Sequence, residues 1–197
     1  MGKFILGVIV GMILLTGGVV LYLVSGYAPV ATTDHPFPFE QRIAMKALHA
    51  KADKEMPKAP PMEADEPTLT AGVNVYRENC AVCHSVPSQP QSNIAKGMFP
   101  RPPKLLEGDE MVTDDPIGET FWKAKNGIRL TGMPGFQASL SDQELWQVSL
   151  LLAKADKLPP SVQQALAAPP APPPPNPTPA APSSPSSEKQ PKNPTQM

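Results

Sequence analysis

The sequence predicts an all-α chain with three parts: an N-terminal transmembrane helix, one small helical domain and a disordered Pro-rich tail. Three observations carry this. An apolar run extends from Phe4 to Val24 without a charged residue. Of the 28 prolines, 14 fall between Pro159 and Pro194. Between these two regions helix start and stop signals recur, over a length that suits one domain and not two. The expected division is an anchor at 1–27, a Pro-rich linker with a spacer helix at 28–66, a compact domain at 67–158 and the tail at 159–197. The formal net charge of −1 gives no footing for nucleic acid as a partner.

The apolar run, taken as a helix, rises roughly 30 Å and so matches the hydrocarbon core of a bilayer. A cleaved signal peptide is the competing reading. Its apolar stretch should be shorter and should end at a small-x-small site, whereas Pro29 spoils cleavage after either Ala28 or Ala31. Lys3 and the amino terminus are the only positive charges before the run, so the expected orientation puts everything after Tyr27 outside the cytoplasm. No cysteine near the start offers a lipid attachment point. Gly7 and Gly11 stand in a GxxxG spacing that would let another helix approach.

After a Pro-rich exit segment, Phe39 to Met56 reads as a helix with Ile43, Ala47, Leu48 and Ala50 on a weakly apolar side. It suits a membrane surface, a partner protein or a plain solvated spacer. Pro57, Pro60, Pro61 and Pro67 then close a second linker.

In the domain, Thr68 or Thr70 can cap a helix that runs to about Asn79 and sets Gly72, Tyr76 and Cys80 four apart on one face. Ser85 to Pro103 reads as loop. Ile117 to Lys125 reads as a short helix stopped by Asn126-Gly127. The last helix carries the clearest start: Ser141 and Glu144 form a capping box, Leu140 and Leu145 a hydrophobic staple, and Leu145, Val148 and Leu152 an apolar stripe. It should end near Lys157. The Ala/Pro/Ser-rich stretch beyond cannot build a core and should sample extended polyproline conformations.

The two cysteines, Cys80 and Cys83, belong to one motif, Cys80-Ala81-Val82-Cys83-His84. A disulfide scaffold or a four-ligand zinc site would need a second cluster. A thioredoxin-like pair would need a βαβ setting and leaves the adjacent histidine unexplained. Two thiols three apart at a helix end suit thioether bonds to the two vinyl groups of one haem c, with the His84 imidazole on the iron. For the other face of the iron, His35 and His49 both precede the domain, and Met98 and Met111 lie in polar loops. Met133 stands 49 residues after His84 in Leu130-Thr131-Gly132-Met133-Pro134-Gly135-Phe136, an irregular turn able to aim a thioether inward. A thioether favours ferrous iron and fills the sixth position. The competing reading for any methionine is core filler.

From Gly72 to Leu152 the chain resembles the class I mono-haem cytochromes c, especially the bacterial branch found as subunits of respiratory oxidases and dehydrogenases. Gly72-x-x-x-Tyr76-x-x-x-Cys80-x-x-Cys83-His84 is similar to the family's first helix and haem site. Arg101-Pro102-Pro103-Lys104-Leu105 resembles its Pro-Pro-x-Leu loop, which implies that the Pro103 carbonyl orients the His84 imidazole. Phe121-Trp122 to Gly127-Ile128 and Thr131-Gly132-Met133-Pro134 resemble its distal half. The resemblance implies a small cytochrome c fold, with first and last helices crossed around a covalent haem, and Trp146 packed against the first helix near Gly72 and Tyr76. A crossing there also follows from size alone, since Gly72 removes a side chain where two large aromatics can fill the contact.

Three functions follow as expectations. The first is a one-electron carrier of a respiratory chain, anchored in a bacterial inner membrane with its haem domain in the periplasm, meeting redox partner proteins transiently. The second is a fixed haem subunit of a larger membrane oxidoreductase complex. The third, a haem peroxidase or sensor, would need an open sixth position and a distal acid–base group, and the domain offers no histidine for it. The first two make the chain an electron-transfer protein and not an enzyme.

Overall fold

A computed structural model describes residues 1–168. The expected disorder of 169–197 lies outside these residues. All regular structure among the described residues is helical.

Helix α1 spans Gly2–Val24 and exposes every side chain it carries. Its 23 residues are long and apolar enough to cross a membrane. Helix α2 spans Glu40–Glu55. It is more than a spacer, because it lies on the domain: Ala52 is fully buried, and the His49 imidazole stands 2.8 Å from the carboxylate of Glu119.

Helix α3 covers Glu66–Asn79. Its cap is Asp65, not Thr68 or Thr70: the Asp65 carboxylate accepts the Thr68 N–H at 3.0 Å. Pro67 therefore sits within the first turn, where a missing N–H costs nothing, and does not close a linker. Two one-turn helices follow, α4 at Ala81–His84 and α5 at Asn93–Lys96. The second breaks the stretch expected to be loop, and the Ser92 hydroxyl caps it by accepting the Ala95 N–H at 3.1 Å. Helix α6 spans Ile117–Asn126 and stops at Gly127 with φ 71°, as the Asn-Gly pair predicts. Helix α7 spans Asp142–Ala153 and opens on the complete Ser141/Glu144 capping box.

Helices α3 and α7 cross where Gly72 meets the carbonyl of Gln147, an approach so close that a Cβ on Gly72 would lie 2.4 Å from that oxygen. Leu69, Val73 and Tyr76 from α3 and Val148, Leu151 and Leu152 from α7 build the core around it. Trp146 does not join this contact. It stacks on Phe121 of α6, with ring centroids 4.1 Å apart and planes 18° from parallel. The expectation placed it one step wrong around the helix: neighbours on a helix differ by ~100°, so if Gln147 and Leu151 face α3, Trp146 faces α6.

Where the tail was expected to begin, helix α8 stands at Pro160–Ala167. Val162 and Leu166 bury in the core cluster beside α3, each worth about 1.5–3 kcal/mol at most. Arg77 Nη1 donates to the Ala165 carbonyl at 2.7 Å. Pro159-Pro160 starts this helix instead of ending order, because a proline in the first turn fits a helix.

Candidate functional site

The site begins where α3 ends. Cys80 caps α3, and the chain turns at once into α4, with the N–H groups of Cys83 and His84 both donating to the Cys80 carbonyl at 3.1 and 2.9 Å. One turn thus carries Cys80, Cys83 and His84. Burial pushes the Cys80 thiol up to about 12, with Cys83 adding to the effect.

Ser85, in the left-handed region at φ 61°, ends α4. Its carbonyl accepts the Tyr76 hydroxyl at 2.6 Å. A buried side chain of α3 thereby fixes the turn beside His84, which explains why an aromatic with a polar tip stands four residues before Cys80.

His84 Nδ1 lies 2.7 Å from the Pro103 carbonyl. A carbonyl only accepts, so Nδ1 carries the proton and Nε2 presents its lone pair. Burial pushes the imidazole below its ordinary value, partly opposed by the Pro103 bond, so it is neutral at pH 7. Neutral, oriented and with Nε2 free is the state a metal ligand requires.

The segment holding Pro103 is fastened on both sides. Gln91, buried, donates to the Pro102 carbonyl at 2.7 Å and accepts from Arg101. The Lys104 N–H donates to Glu110 at 2.9 Å. Glu107 takes the Ser88 N–H at 2.7 Å and pairs with the Lys104 ammonium. Sequence reading missed Gln91, Glu107 and Glu110. A polar residue directly after Pro90 was the only local sign of Gln91.

The loop around Met133 is equally constrained. Gly127 and Gly135 let it pass against the end of α6: a Cβ on Gly127 would lie 2.5 Å from the Gly135 nitrogen, and one on Gly135 would lie 2.7 Å from the Asn126 carbonyl. Phe136 N–H donates to Ala124 at 3.0 Å and Ile128 N–H to Met133 at 3.2 Å. The Thr131 hydroxyl donates to the Ile128 carbonyl at 2.7 Å and accepts the Met133 N–H at 3.1 Å. Met133 itself is half-buried. Met98, which sequence reading left in a polar loop, packs its thioether against Gly132, where a Cβ would stand 2.8 Å from the sulfur.

These residues fit a covalently held haem. Two thiols share one turn, the next residue is an oriented neutral imidazole, and a second loop holds a thioether in a fixed frame. Val82, Ile94, Phe99 and Leu130, from the same segments, leave apolar side chains outside the helical core, as a flat apolar ring would require. Of the other histidines, His49 is engaged with Glu119 on α6, and His35 lies in the segment before α2.

Residues 67–150 match the family described as cytochrome C oxidase, cbb3-type, subunit III. Over 92 residues, 43% of this chain, the sequence is 34% identical to the alcohol dehydrogenase (quinone), cytochrome c subunit, of Gluconobacter oxydans (strain 621H). The aligned region is 18% of that protein's length, so this chain spans under a fifth of it. Among solved structures, 50% of this chain superimposes on 48% of a chain of the Kuenenia stuttgartiensis reducing HAO-like protein complex, with 23% identity and a TM-score of 0.43. Helices α1, α2 and α8 lie outside the family match.

Proposed function

A cytochrome c domain occupies residues 67–150 of this chain, and on that premise we propose that the chain is a membrane-anchored, single-haem electron-transfer protein. The observation that carries the proposal is the His84–Pro103 hydrogen bond of 2.7 Å, next to two thiols in one turn. It fixes the tautomer and plane of the one imidazole that the motif offers to iron. In this reading Cys80 and Cys83 would hold the haem through two thioether bonds, and His84 Nε2 and the Met133 sulfur would ligate its iron. Haem held in this way supplies a one-electron ferric/ferrous couple. A Met133 thioether on the iron would raise its potential and would leave no open place for oxygen or peroxide.

The frame around both ligands supports transfer over catalysis. His84 is held by Pro103, Pro102 by Gln91, and Met133 at both its N–H and its carbonyl. Ligands that move little between oxidation states need little reorganisation when an electron arrives. Helix α1 anchors the chain in the inner membrane of a bacterium, and Lys3 ahead of it leaves the haem domain in the periplasm. The domain then passes electrons between proteins of a respiratory chain. A second reading makes the chain a fixed subunit of an oxidoreductase complex. The Gluconobacter relative, by its name a cytochrome c subunit of a dehydrogenase, favours it.

The test is a redox titration of the purified, haem-loaded chain with carbon monoxide added to the reduced form. A single one-electron wave and a spectrum indifferent to carbon monoxide are expected. A high-spin reduced spectrum that shifts on adding carbon monoxide would replace transfer by a sensor or peroxidase.

A further inference from the structure

Helix α2 has two faces, and the domain uses one of them. Leu48, His49, Ala52 and Glu55 face α6: Ala52 is fully buried, His49 bonds Glu119, and Trp122 Nε1 donates to Glu55 at 3.2 Å. At ~100° per residue, Ile43, Ala47 and Ala50 fall on the opposite side, and Phe39 stands just ahead of them at the N-cap. There Phe39 and Ile43 are 65% and 67% exposed. Arg42 and Lys46 flank this strip, and the Arg42 guanidinium stands over the Phe39 ring at 5.6 Å. No described residue covers it.

The start of this strip lies beside the end of α1. Tyr22, in the last turn of α1, meets the ring of Phe37 edge-on at 6.2 Å. The linker between them folds back on itself, with the Val30 and Ala31 N–H groups both donating to Asp34 at 2.9 Å. Glu40, at the head of α2, accepts the Phe37 N–H at 2.8 Å. Pro38 alone separates the ring that touches α1 from Phe39, the first residue of the strip.

We propose that the outer face of α2 seats the cytochrome domain on the surface of the membrane that α1 crosses. Phe39 and Ile43 enter the boundary between headgroups and acyl chains, and Arg42 and Lys46 meet anionic headgroups. This rests on reading α1 as membrane-spanning. A lipid surface suits the strip better than a protein partner. Two large apolar side chains are too few for a stable protein interface, which buries about 800 Å² on each side, whereas basic flanks and continuity with α1 are what a bilayer surface selects. Because the inner face of α2 is fastened to α6, the seat fixes the orientation of the domain instead of leaving it on a free tether.

The full haem-loaded chain, reconstituted in vesicles of phosphatidylcholine and phosphatidylglycerol, tests this. Cys80 and Cys83 are bonded in that form, so single nitroxide labels go on Ile13→Cys, Ile43→Cys and, as a reference on the exposed side of α3, Asn74→Cys. Depth is read from collision with oxygen against collision with a water-soluble nickel chelate. The expected pattern is label 13 deep in the bilayer, label 43 shielded from the chelate at the interface and label 74 open to it. Label 43 as open as label 74, with label 13 still deep, overturns the seat and leaves the anchor intact. Label 13 in water overturns the anchor and the seat together. Shielding of label 43 that grows with the protein-to-lipid ratio marks contact between copies and also overturns the seat. Arg42→Glu with Lys46→Glu should return label 43 toward the value of label 74, and an unchanged depth would remove the headgroup contact from the proposal.

Discussion

Replacing Gly72 by Ala probes the crossing on which the domain is built. The added methyl would stand 2.4 Å from the Gln147 carbonyl oxygen, 2.9 Å from its carbon and 3.1 Å from Leu151 Cβ. Comfortable contact begins near ~3.4 Å, so α7 must retreat from α3 by about 1 Å. The nearest obstacle is backbone and cannot rotate aside. The retreat opens the layer formed by Leu69, Val73, Tyr76, Val148 and Leu151. Overpacking of this kind costs about 1–3 kcal/mol, and a backbone obstacle belongs at the upper end. The better helix propensity of Ala returns about 1 kcal/mol. The net loss of about 1–2 kcal/mol corresponds to a fall in Tm of roughly 4–16 °C for a domain of this size. The assay is thermal unfolding of the haem-loaded chain in detergent, followed by haem absorbance and helical circular dichroism together. A Tm equal to or above that of the parent would mean that propensity alone acts at Gly72, and the close crossing would be refuted.

Three further outcomes follow from other parts of the structure. Trp146→Ala removes the ring stacked on Phe121 and should cost about 3–5 kcal/mol in chemical denaturation, with Trp146→Phe losing visibly less. Burial alone would raise the Glu119 carboxyl, yet Lys123 and His49 outweigh it and hold the group below its ordinary 4.5. Its contribution is therefore fully present above that value and is lost as acid carries the pH down through the lowered one. Glu119→Gln should lower Tm at neutral pH and narrow its gap to the parent on acidification below about pH 4.5. A gap that stays constant to about pH 3 would contradict this assignment. Replacing Cys80 and Cys83 together by Ser should abolish haem that survives denaturing electrophoresis, measured by haem staining of the gel.

What could be read in advance was what short motifs encode. The apolar run, the Ser141–Glu144 capping box and the Asn126-Gly127 stop are local devices, and each stands in the structure as expected. The cytochrome c character of the domain was legible for the same reason, since its thiols and imidazole lie within five residues. The cap of α3 was misjudged because Asp65 lies behind Pro67, and a proline reads as a boundary even where the first turn accepts it. Helix α8 was hidden by composition: its two buried anchors, Val162 and Leu166, sit among Pro, Gln and Ala, and what holds them is α3, some ninety residues away. The docking of α2 on α6 rests on His49, Glu55, Glu119 and Trp122, none of which marks its partner locally. The fastening of Pro103 through Gln91 and Glu110 is of the same long-range kind. Trp146 shows the limit of arguing from size alone, because a 100° step on α7 decides which helix it meets.

The central claim is that His84 and Met133 hold one covalently attached haem between them. The measurement that tests it most directly is the near-infrared spectrum of the oxidised, haem-loaded chain, compared with that of Met133→Ala. A weak methionine-to-iron band is expected in the parent. In the variant that band is lost, the haem remains covalently attached and the reduced form binds carbon monoxide. A band that persists in Met133→Ala would contradict the account and turn attention to Met98, whose sulfur packs against Gly132.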